Sequence, residues 1–288
     1  MDLSIIIVSY NTAELIVDCL KTVLDSTGVD QEIFVIDNAS VDGSGPLVRR
    51  TFPTVHLVEN IQNRGFAAAN NQVMPLCRGS YLFFLNPDTT VMPDTFGRAI
   101  AFMNAHRSVG LAGTRIINPD GSLQESVSYR YPGHRYAGRE LSALKGDIAC
   151  VLGAAMIARP EAVRAVRGFD EDFFLYGEDQ DICLRIRKAG YEIGYIDEAI
   201  VIHLGGQSER QSGAASLWKR KTMAEMLFYR KHYHPETAAR IRRADLWKAR
   251  FRMATLRLSL PFLPGKERAR AKLIKYETVH ATLNQRQQ

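Results

Sequence analysis

Four short, largely apolar segments recur through the first 85 residues of the chain, and they constrain its fold more than any other feature. They are Leu3–Val8, Glu32–Ile36, Val55–Val58 and Tyr81–Leu85. Stretches with helical periodicity lie between them, one of them directly after Thr12. Continuous apolar runs suit strands covered on both faces, and their alternation with helices predicts βαβ units. The sequence therefore predicts an α/β fold with a doubly wound, mostly parallel sheet.

The character of the chain changes after Gly205 and Gly206. Residues 214–233, 236–260 and 266–284 have helical periodicity. Residues 209–288 hold 19 Lys and Arg against 6 Asp and Glu, so this segment carries a net charge of +13. The rest of the chain holds 18 basic and 25 acidic residues, a net charge of −7. We therefore expect an α/β domain at residues 1–207 and a basic helical extension at residues 208–288.

Polar residues follow three of the predicted strands, at the point where each strand ends. In open α/β sheets, ligands bind beyond the carboxyl ends of the strands. Asp37 and Asp88 end or closely follow apolar strands, which favours a role in binding, whereas Asn38 fits a turn equally well. The candidate ligand-binding residues are Ser9, Tyr10, Asn11, Asp37, Asn38, Asn86 and Asp88.

Two common classes of nucleotide-binding enzyme are excluded by the glycine pattern. No G-x-G-x-x-G motif follows the first strand, and the chain has no Walker A sequence. A nicotinamide dehydrogenase or a P-loop kinase would need one of these motifs.

The sequence also bears on the cellular compartment. Met1 leads directly into a strand pattern, which argues against a signal peptide, and no apolar run approaches the ~20 residues that span a bilayer. The four cysteines lack C-x-x-C spacing, which is typical of reduced thiols in a cytosolic protein. We therefore expect a cytoplasmic protein.

Five motifs in order carry a resemblance to glycosyltransferase family 2. They are SIIIVSYN at 4–11, FVIDNASVDGS at 34–44, NRGFAAANN at 63–71, FLNPDTTV at 84–91 and GEDQDICLRIRKAGY at 177–191. In style they look like the bacterial rhamnosyltransferase-like members that build surface polysaccharides. The resemblance covers roughly residues 3–205 and implies a GT-A fold, which is Rossmann-like. It also implies a nucleotide-diphosphate sugar donor, a divalent metal ion and inversion at the anomeric carbon.

The resemblance implies a catalytic base in the pair Glu178-Asp179. Inversion by single displacement needs one base to take the proton of the acceptor hydroxyl. The second acid is the more common choice across the family, so Asp179 is the predicted base and Glu178 the alternative.

The resemblance also implies a metal site. Family members often carry Asp-x-Asp where this chain has Asn86-Pro87-Asp88, so one carboxylate is missing. Asp88 is the predicted ligand of Mn²⁺ or Mg²⁺, which would act as a Lewis acid on the departing diphosphate. His203 matches a position that supplies a metal ligand in relatives, and a nitrogen ligand favours Mn²⁺ over Mg²⁺.

The donor is expected to be a nucleotide-diphosphate sugar of dTDP or UDP type, with rhamnose suggested by the resemblance alone. Asp37 can accept hydrogen bonds from the base or the ribose, because a carboxylate only accepts. Asn63 and Arg64 are further candidates for contact with the donor phosphate or base.

The helical extension has the profile of an interfacial membrane helix. Between residues 239 and 258, Trp247, Phe251 and Leu258 recur at helical spacing among arginines. We therefore predict a peripheral protein on the inner face of the cell membrane, with a glycan or polyprenyl-linked acceptor. A helix that packs on the domain or forms a homodimer is the alternative. Nucleic acid is not an expected partner, because the predicted catalytic part is acidic.

Two other functions fit an α/β nucleotide-binding fold. A sugar nucleotidyltransferase would usually begin with a glycine-rich loop and a basic residue, where this chain has Ser9-Tyr10-Asn11. A catalytically inactive GT-A-like binding scaffold is the second alternative, and the presence of Asp37, Asp88 and the 178–179 pair argues against it.

Overall fold

A computed structural model describes residues 1–206, 213–262 and 266–285. The chain forms two compact units. The first, here called the sheet unit, comprises Met1–Tyr131 and Leu144–Gly205, and the second, the helical unit, comprises Pro132–Ala143 and Gly206–Gln288. The predicted boundary between residues 207 and 208 lies outside the described residues.

Ten strands belong to the sheet unit. They are β1 (Leu3–Ser9), β2 (Gln31–Asp37), β3 (His56–Glu59), β4 (Tyr81–Leu85), β5 (Thr89–Val91), β6 (Val109–Ile117), β7 (Val127–Ser128), β8 (Cys150–Val151), β9 (Ala155–Ala158) and β10 (Glu192–His203).

Ten α-helices are present in the described part of the chain. They are α1 (Ala13–Leu24), α2 (Ser44–Thr51), α3 (Gly65–Val73), α4 (Thr95–Ala105), α5 (Gly138–Leu141), α6 (Pro160–Ala165), α7 (Glu178–Lys188), α8 (Ala214–His232), α9 (Pro235–Ser259) and α10 (Lys266–Asn284). Short 3₁₀ turns at Met74–Leu76 and Leu260–Phe262 extend α3 and α9.

Eight strands form one sheet in the order β3-β2-β1-β4-β9-β6-β10-β5. Strand β1 pairs in parallel with β2 and β4, β2 pairs in parallel with β3, and β10 pairs in parallel with β6. Strand β9 runs antiparallel to both of its neighbours, and β5 runs antiparallel to β10. The prediction of a mostly parallel sheet in an α/β fold is confirmed.

The core of the sheet unit lies on both faces of this sheet. Residues Leu3 to Ile7 of β1 and Tyr81 to Leu85 of β4 are buried along their whole length, as continuous apolar runs require. Helix α1 buries Ile16, Cys19, Leu20 and Val23 on one side. The burial of both strand faces explains why these segments lack the polar alternation of an exposed sheet.

Two segments of the sequence predict a local structure that differs from the observed one. The apolar stretches at residues 191–196 and 199–202 predict two short strands, but they form one strand, β10, whose register with β6 shifts between Ile196 and Ile200. Residues 124–147 are irregular in sequence and predict a mobile surface loop, but they contain β7 and the short helix α5. Strand β7 pairs with β8 in the sheet unit, whereas α5 belongs to the helical unit.

The helical unit is built mainly from α8, α9 and α10. Its buried side chains include Phe228, Tyr229, Ile241 and Leu283. Arg242 on α9 donates to the Leu283 carbonyl of α10, and Arg257 pairs with Glu277 at 2.7 Å. These contacts define the side of α9 that faces α10. In the described part of the chain, no helix is both long and apolar enough to cross a bilayer.

All four cysteines are free thiols. Cys19, Cys150 and Cys183 are buried, and Cys77 is partly exposed. Burial raises the pKa of Cys19 and Cys150 to about 12 and that of Cys77 to about 11. Since the thiolate is the reactive form, these thiols have low reactivity at neutral pH.

Candidate active site

The ends of β1 and β2 lie side by side, because the two strands are parallel and in register. Ser9 pairs with Asp37, and the Asn38 amide donates to the Ser9 carbonyl at 2.8 Å. The Ser9 hydroxyl lies 2.7 Å from that of Thr12. Both strands therefore deliver their terminal polar residues to one rim of the sheet, as the sequence predicts.

Asp37 has a buried carboxylate with spare hydrogen-bonding capacity. The residue is 6% exposed, and its Oδ1 has no hydrogen-bond partner among the described residues. A buried acceptor without a donor is costly. An N–H or O–H group of a ligand would satisfy it, which suits recognition of a nucleotide base or ribose.

Asn38 organises the loop after β3. Its Nδ2 donates to Asn63 Oδ1 at 2.9 Å and to the Gly65 carbonyl at 3.2 Å. Its Oδ1 accepts from Asn60 Nδ2 and from the Arg64 amide, both at 3.0 Å. With these partners, the Asn38 amide holds the loop and leaves the exposed Arg64 side chain at its edge.

The loop after β1 is held in a similar way. The Asn11 amide donates to Ser40 Oγ, and Asn11 Oδ1 accepts from the Val41 amide, each at 2.9 Å. Asn11 has φ 54°, a left-handed conformation that asparagine tolerates better than most residues. Tyr10 beside it is 41% exposed and is the side chain of this loop most open to a ligand.

Asp88 and His203 face each other across the sheet edge. Strand β5 pairs antiparallel with β10, which places His203 opposite Thr89, and the Leu204 amide donates to the Asp88 carbonyl at 3.0 Å. Asp88 Oδ1 lies 3.3 Å from His203 Nε2, and both residues are 8% exposed. The carboxylate of Asp88 and the imidazole of His203 thus lie close together although the two residues are 115 positions apart in the sequence.

The chemistry of this pair fits a divalent metal ion. His203 Nδ1 lies 3.0 Å from Gln124 Oε1, so the opposite ring nitrogen is the one that faces Asp88. A partner on the second nitrogen is typical of histidines that bind metals. The described residues contain no group of three or more His, Cys, Asp or Glu side chains able to hold a metal. Ions that bind phosphate substrates often take only one or two protein ligands, a number that the pair matches. Among the described residues, no other carboxylate replaces the one that is missing at Asn86.

Glu178 and Asp179 open α7 after two residues in the left-handed region. Tyr176 has φ 74° and Gly177 has φ 83°. Burial, and next the charge of Asp179, raise the pKa of Glu178 to about 8. Burial also raises the pKa of Asp179, while the amides of Gln180 and Gly153 donate to its carboxylate at 2.8 and 3.4 Å and favour its charged form.

These contacts separate the two acids. Glu178 Oε2 has no hydrogen-bond partner in the described structure, and the effect of burial on the pKa of Glu178 exceeds that of the backbone hydrogen bond that favours the ionised form. Asp179 is the acid whose anion is stabilised by donors. Asp181, two residues on, is buried and pairs with Arg185 at 2.5 Å, which makes it a structural residue of α7.

Asp179 is linked to the Asp88 segment through the two residues that precede β9. The Gly153 amide donates to Asp179 Oδ2, and the carbonyl of the next residue, Ala154, accepts from the Asn86 amide at 2.9 Å. Residues 153–154 therefore lie between the acidic pair and the 86–88 turn. The predicted metal ligands and the predicted base occupy one neighbourhood.

A close backbone contact joins the loop after β3 to the loop before α7. The Phe66 amide donates to the Phe174 carbonyl at 2.9 Å. A Cβ atom on Gly65 would lie 2.6 Å from that carbonyl oxygen, and Gly65 has φ 79°. Only glycine satisfies both conditions, so this position fixes the spacing of the two loops.

Sequence reasoning missed Asn60 and Gln124. Asn60 hydrogen-bonds Asn38, and Gln124 hydrogen-bonds His203. Asn60 follows the end of β3 directly, which was a signal available from the strand pattern. Gln124 follows the turn at Asn118-Pro119-Asp120-Gly121, but its partner is 79 residues away, and the sequence offers no signal for that pairing.

Known proteins resemble this chain in sequence and in fold. The chain is 23% identical over 245 residues to N-acetylglucosaminyl-diphospho-decaprenol L-rhamnosyltransferase of Mycobacterium tuberculosis, covering 75% of this chain and 80% of that protein. Its fold is similar to the mannosyltransferase PcManGT from Pyrobaculum calidifontis, solved with GDP-Man and Mn²⁺. That match has a TM-score of 0.63 and 20% identity, and covers 98% of this chain and 83% of the other. Staphylococcus aureus TarS 1–349, solved with UDP, matches with a TM-score of 0.54 and 14% identity, over 98% and 90% of the two chains.

These structures confirm the GT-A fold with C-terminal helices. The sequence model of Glycosyl transferase family 2 matches residues 4–167, more than half of the chain. This match favours glycosyl transfer over the nucleotidyltransferase and inactive-scaffold alternatives. The chain belongs to glycosyl transferase family 2 and is a glycosyltransferase.

Proposed function

We propose that this enzyme transfers a sugar from a nucleotide-diphosphate donor to a glycan or lipid-linked acceptor, with inversion at the anomeric carbon. The observation that carries the proposal is the neighbourhood of Asp179 and the Asp88–His203 pair, bridged by residues 153–154. Single displacement needs a base on one side of the reacting carbon and charge neutralisation on the other.

Asp179 is the proposed base. It accepts the proton of the acceptor hydroxyl while that oxygen bonds to the anomeric carbon and the nucleoside diphosphate departs with the electrons of the broken C–O bond. Glu178, whose pKa is raised to about 8, stays largely protonated near neutral pH. A neutral neighbour leaves Asp179 as the single anion of the pair, which suits a group that must take a proton.

Asp88 and His203 are the proposed ligands of Mn²⁺ or Mg²⁺. When bound, the ion would supply Lewis-acid neutralisation of the diphosphate leaving group. The hydrogen bond of Gln124 to the second ring nitrogen orients His203 for this role.

Asp37 is the proposed contact to the donor base or ribose, with Arg64 and Tyr10 at the edge of the same site. The orphaned Oδ1 of Asp37 suits the ring N–H of a uracil or thymine base, which favours a UDP or dTDP donor. The Mycobacterium tuberculosis relative is an L-rhamnosyltransferase that acts on a decaprenol-linked sugar. A rhamnosyl donor and a polyprenyl-linked acceptor are therefore the first pair to test.

A thermal-shift panel of nucleotide sugars, with and without Mn²⁺, tests the donor and the metal together. A ligand at 100 times its dissociation constant stabilises the folded protein by ~2.7 kcal/mol. We expect a UDP or dTDP sugar to raise the melting temperature only with Mn²⁺, and Asp88→Asn to lose this metal-dependent part. An equal shift in excess chelator would remove the metal from the mechanism.

We further propose that α9 lies on an anionic membrane surface. Trp247, Phe251 and Leu258 are 71, 54 and 76% exposed and share one side of the helix. The exposed side chains of Arg240 and Arg243 lie on the same side, one to two turns before Trp247. An apolar strip flanked by arginines suits the headgroup region of an anionic bilayer.

The protein should sediment with anionic but not with neutral liposomes at low salt. Absence of sedimentation together with a stable dimer would identify the strip as a protein interface.

A further inference from the structure

The turn that follows β6 contains a chain of polar side chains that the proposed chemistry does not use. It runs through Asp120, Ser122, Asn118 and Gln124 and ends at His203. All five residues lie in the sheet unit. We call this chain the 118–124 relay.

The direction of each hydrogen bond in the relay is fixed from its outer end. The Asp120 carboxylate can only accept, so the Ser122 hydroxyl donates to it, at 2.6 Å. Ser122 Oγ then accepts from Asn118 Nδ2 at 2.8 Å. Asn118 must therefore turn its Oδ1 toward Gln124, whose Nε2 donates to it at 2.6 Å.

The amide of Gln124 is fixed a second time by the backbone. Gln124 Nε2 also donates to the His203 carbonyl oxygen at 2.7 Å, and a carbonyl only accepts. Turning the amide around would place an oxygen against two acceptors and break two hydrogen bonds. Asn118 and the His203 carbonyl therefore independently require the same orientation of the Gln124 amide.

The remaining atom of Gln124 decides the state of the imidazole. Gln124 Oε1 lies 3.0 Å from His203 Nδ1 and has no proton to give, so Nδ1 carries the hydrogen. In the neutral ring, Nε2 then holds the lone pair, and Nε2 is the atom 3.3 Å from Asp88 Oδ1. Asp88 by itself would favour the opposite tautomer, with the hydrogen on Nε2, because a carboxylate accepts.

We infer that the 118–124 relay sets the tautomer and the orientation of His203, and that Gln124 is a positioning residue for the metal ligand of the proposed function. The relay directs the lone pair of His203 Nε2 toward Asp88, so no hydrogen bond forms between Nε2 and the carboxylate. A cation between the two side chains would replace that missing interaction, because Nε2 and the Asp88 carboxylate can then both act as its ligands. The turn at Asn118–Ser122 thus has a role in metal binding although none of its residues touches the metal site.

The inference can be tested without measuring catalysis. Long-range ¹H–¹⁵N correlation spectra of the ¹⁵N-labelled full-length protein distinguish a protonated ring nitrogen from a bare one. The chain has seven histidines, and a His203→Gln variant assigns the relevant signals. Spectra of the metal-free protein are recorded at a pH where the ring is neutral, and the dissociation constant of Mn²⁺ is measured from the EPR signal of the free ion.

Two substitutions at one position form a matched pair. Gln124→Met keeps the length of the side chain but removes both the acceptor and the donors. Gln124→Glu keeps an acceptor for Nδ1 and removes only the hydrogen bonds that Nε2 donates to Asn118 and to the His203 carbonyl. We expect hydrogen on Nδ1 in the wild type and in Gln124→Glu, and hydrogen on Nε2 in Gln124→Met. The Mn²⁺ dissociation constant of Gln124→Met should rise by about 10–100-fold.

Hydrogen on Nε2 in the neutral wild-type ring would overturn the inference, and so would a Gln124→Met variant with the wild-type tautomer and affinity. The wild-type spectrum and Gln124→Glu decide the question even if Gln124→Met does not fold. Failure of the wild type to bind Mn²⁺ would instead contradict the metal role proposed above, since the ring nitrogens report on the relay independently.

Discussion

The two units of this enzyme place their functional groups in opposite ways. In the sheet unit, Asp37, Asp88, Glu178 and His203 are buried, and their neighbours are joined by hydrogen bonds of defined direction. In the helical unit, the notable groups of α9 are exposed aromatic and basic side chains. Residues 209–288 carry a net charge of +13, while the rest of the chain carries −7.

This contrast indicates how each unit should respond to change. A buried group whose protonation and orientation depend on two or three neighbours is sensitive to a single atom. A surface strip acts through summed area and charge, so its contributions are small, roughly additive and dependent on salt. Single substitutions in the sheet unit should therefore have large and specific effects. Substitutions on α9 should have small effects that add up with the number of residues changed.

The largest effect is expected at Asp179. Asp179→Asn removes the proposed base while keeping its shape, and should lower turnover by about 10²–10⁴-fold. Donor binding, measured by calorimetry, should change little. Glu178→Gln is the matched control and should retain most activity, because Glu178 is proposed to act in its neutral form. If Glu178→Gln is the inactive variant, the roles of the two acids are reversed, and if both remain active, the base lies elsewhere.

Gly65→Ala should be the next most damaging. The new Cβ would meet the Phe174 carbonyl oxygen at 2.6 Å, in a residue with φ 79°. We expect a loss of roughly 1–3 kcal/mol in the free energy of unfolding, measured by urea titration. Gly97→Ala is the control, since Gly97 lies inside α4 and a Cβ there meets nothing within 4 Å. It should stabilise the protein by about 0.5–1 kcal/mol. Equal effects at both positions would show that the contact between the loops is not restrictive.

On α9 the expected effect is smaller and concerns binding to membranes. The double substitution Trp247→Ser and Phe251→Ser should weaken sedimentation with anionic liposomes by about 10-fold or more. Full burial of each side chain would contribute ~1.5–3 kcal/mol, and even half of the smaller value for both together corresponds to about 10-fold. Hydrolysis of the donor in solution should be unchanged. Met223→Ser, at an exposed position of α8, is the control. Loss of donor hydrolysis in the α9 variant would contradict the proposal that the exposed side chains of α9 serve membrane binding alone.

The last expected effect is a dependence of stability on pH. The pKa of Glu178 is raised to about 8 in the folded protein, so the folded state holds this proton more tightly than the unfolded chain. The stability it contributes is complete below the unfolded pKa of ~4.3 and is lost as pH rises through about 8. Glu178→Gln should therefore gain stability relative to the wild type over this range, by at most about 1.4 kcal/mol per pH unit.

Denaturant titrations at several pH values measure this difference. Glu161→Gln, at an exposed position on α6, is the control and should follow the wild type. A constant difference between Glu178→Gln and the wild type would mean that Glu178 ionises as freely in the folded protein as in the unfolded chain.

Much of the sheet unit could be predicted because its signals are local. Continuous apolar runs identified β1, β2 and β4, and the polar residues at their ends identified the rim of the site. The contact of Asp88 with His203 depends on the antiparallel pairing of β5 with β10. A pattern of βαβ units predicts parallel neighbours and gives no information on that pairing, so only family resemblance suggested His203.

The role of Asn38 shows a second limit. Its sequence context, directly after a strand, suits both a ligand contact and a structural amide. Only the positions of Asn60, Asn63 and Arg64 reveal that its side chain is already engaged. Local sequence establishes that a polar group is present at the rim, but its partners come from segments more than 20 residues away.

Helix α9 shows that apolar residues at helical spacing can be divided between two sides of a helix. Ile241 precedes Trp247 by six residues, which places the two side chains roughly 120° apart around the helix axis. Ile241 is 2% exposed and packs against Gly133, whereas Trp247, Phe251 and Leu258 are exposed. Spacing identifies the candidate members of an apolar stripe, but only the packing of the helix shows which of them face the interior.

The state of the four thiols has a practical consequence for spectroscopy. Cys19, Cys150 and Cys183 are buried, and the pKa of the remaining Cys77 is raised to about 11. Maleimide and methanethiosulfonate reagents attack the thiolate, so the native protein offers them almost no target at neutral pH. A single cysteine introduced in place of the exposed Phe262 would therefore take a fluorophore or spin label selectively, without prior removal of the native thiols. The depth of such a label in a bilayer could then be measured on an otherwise unaltered enzyme.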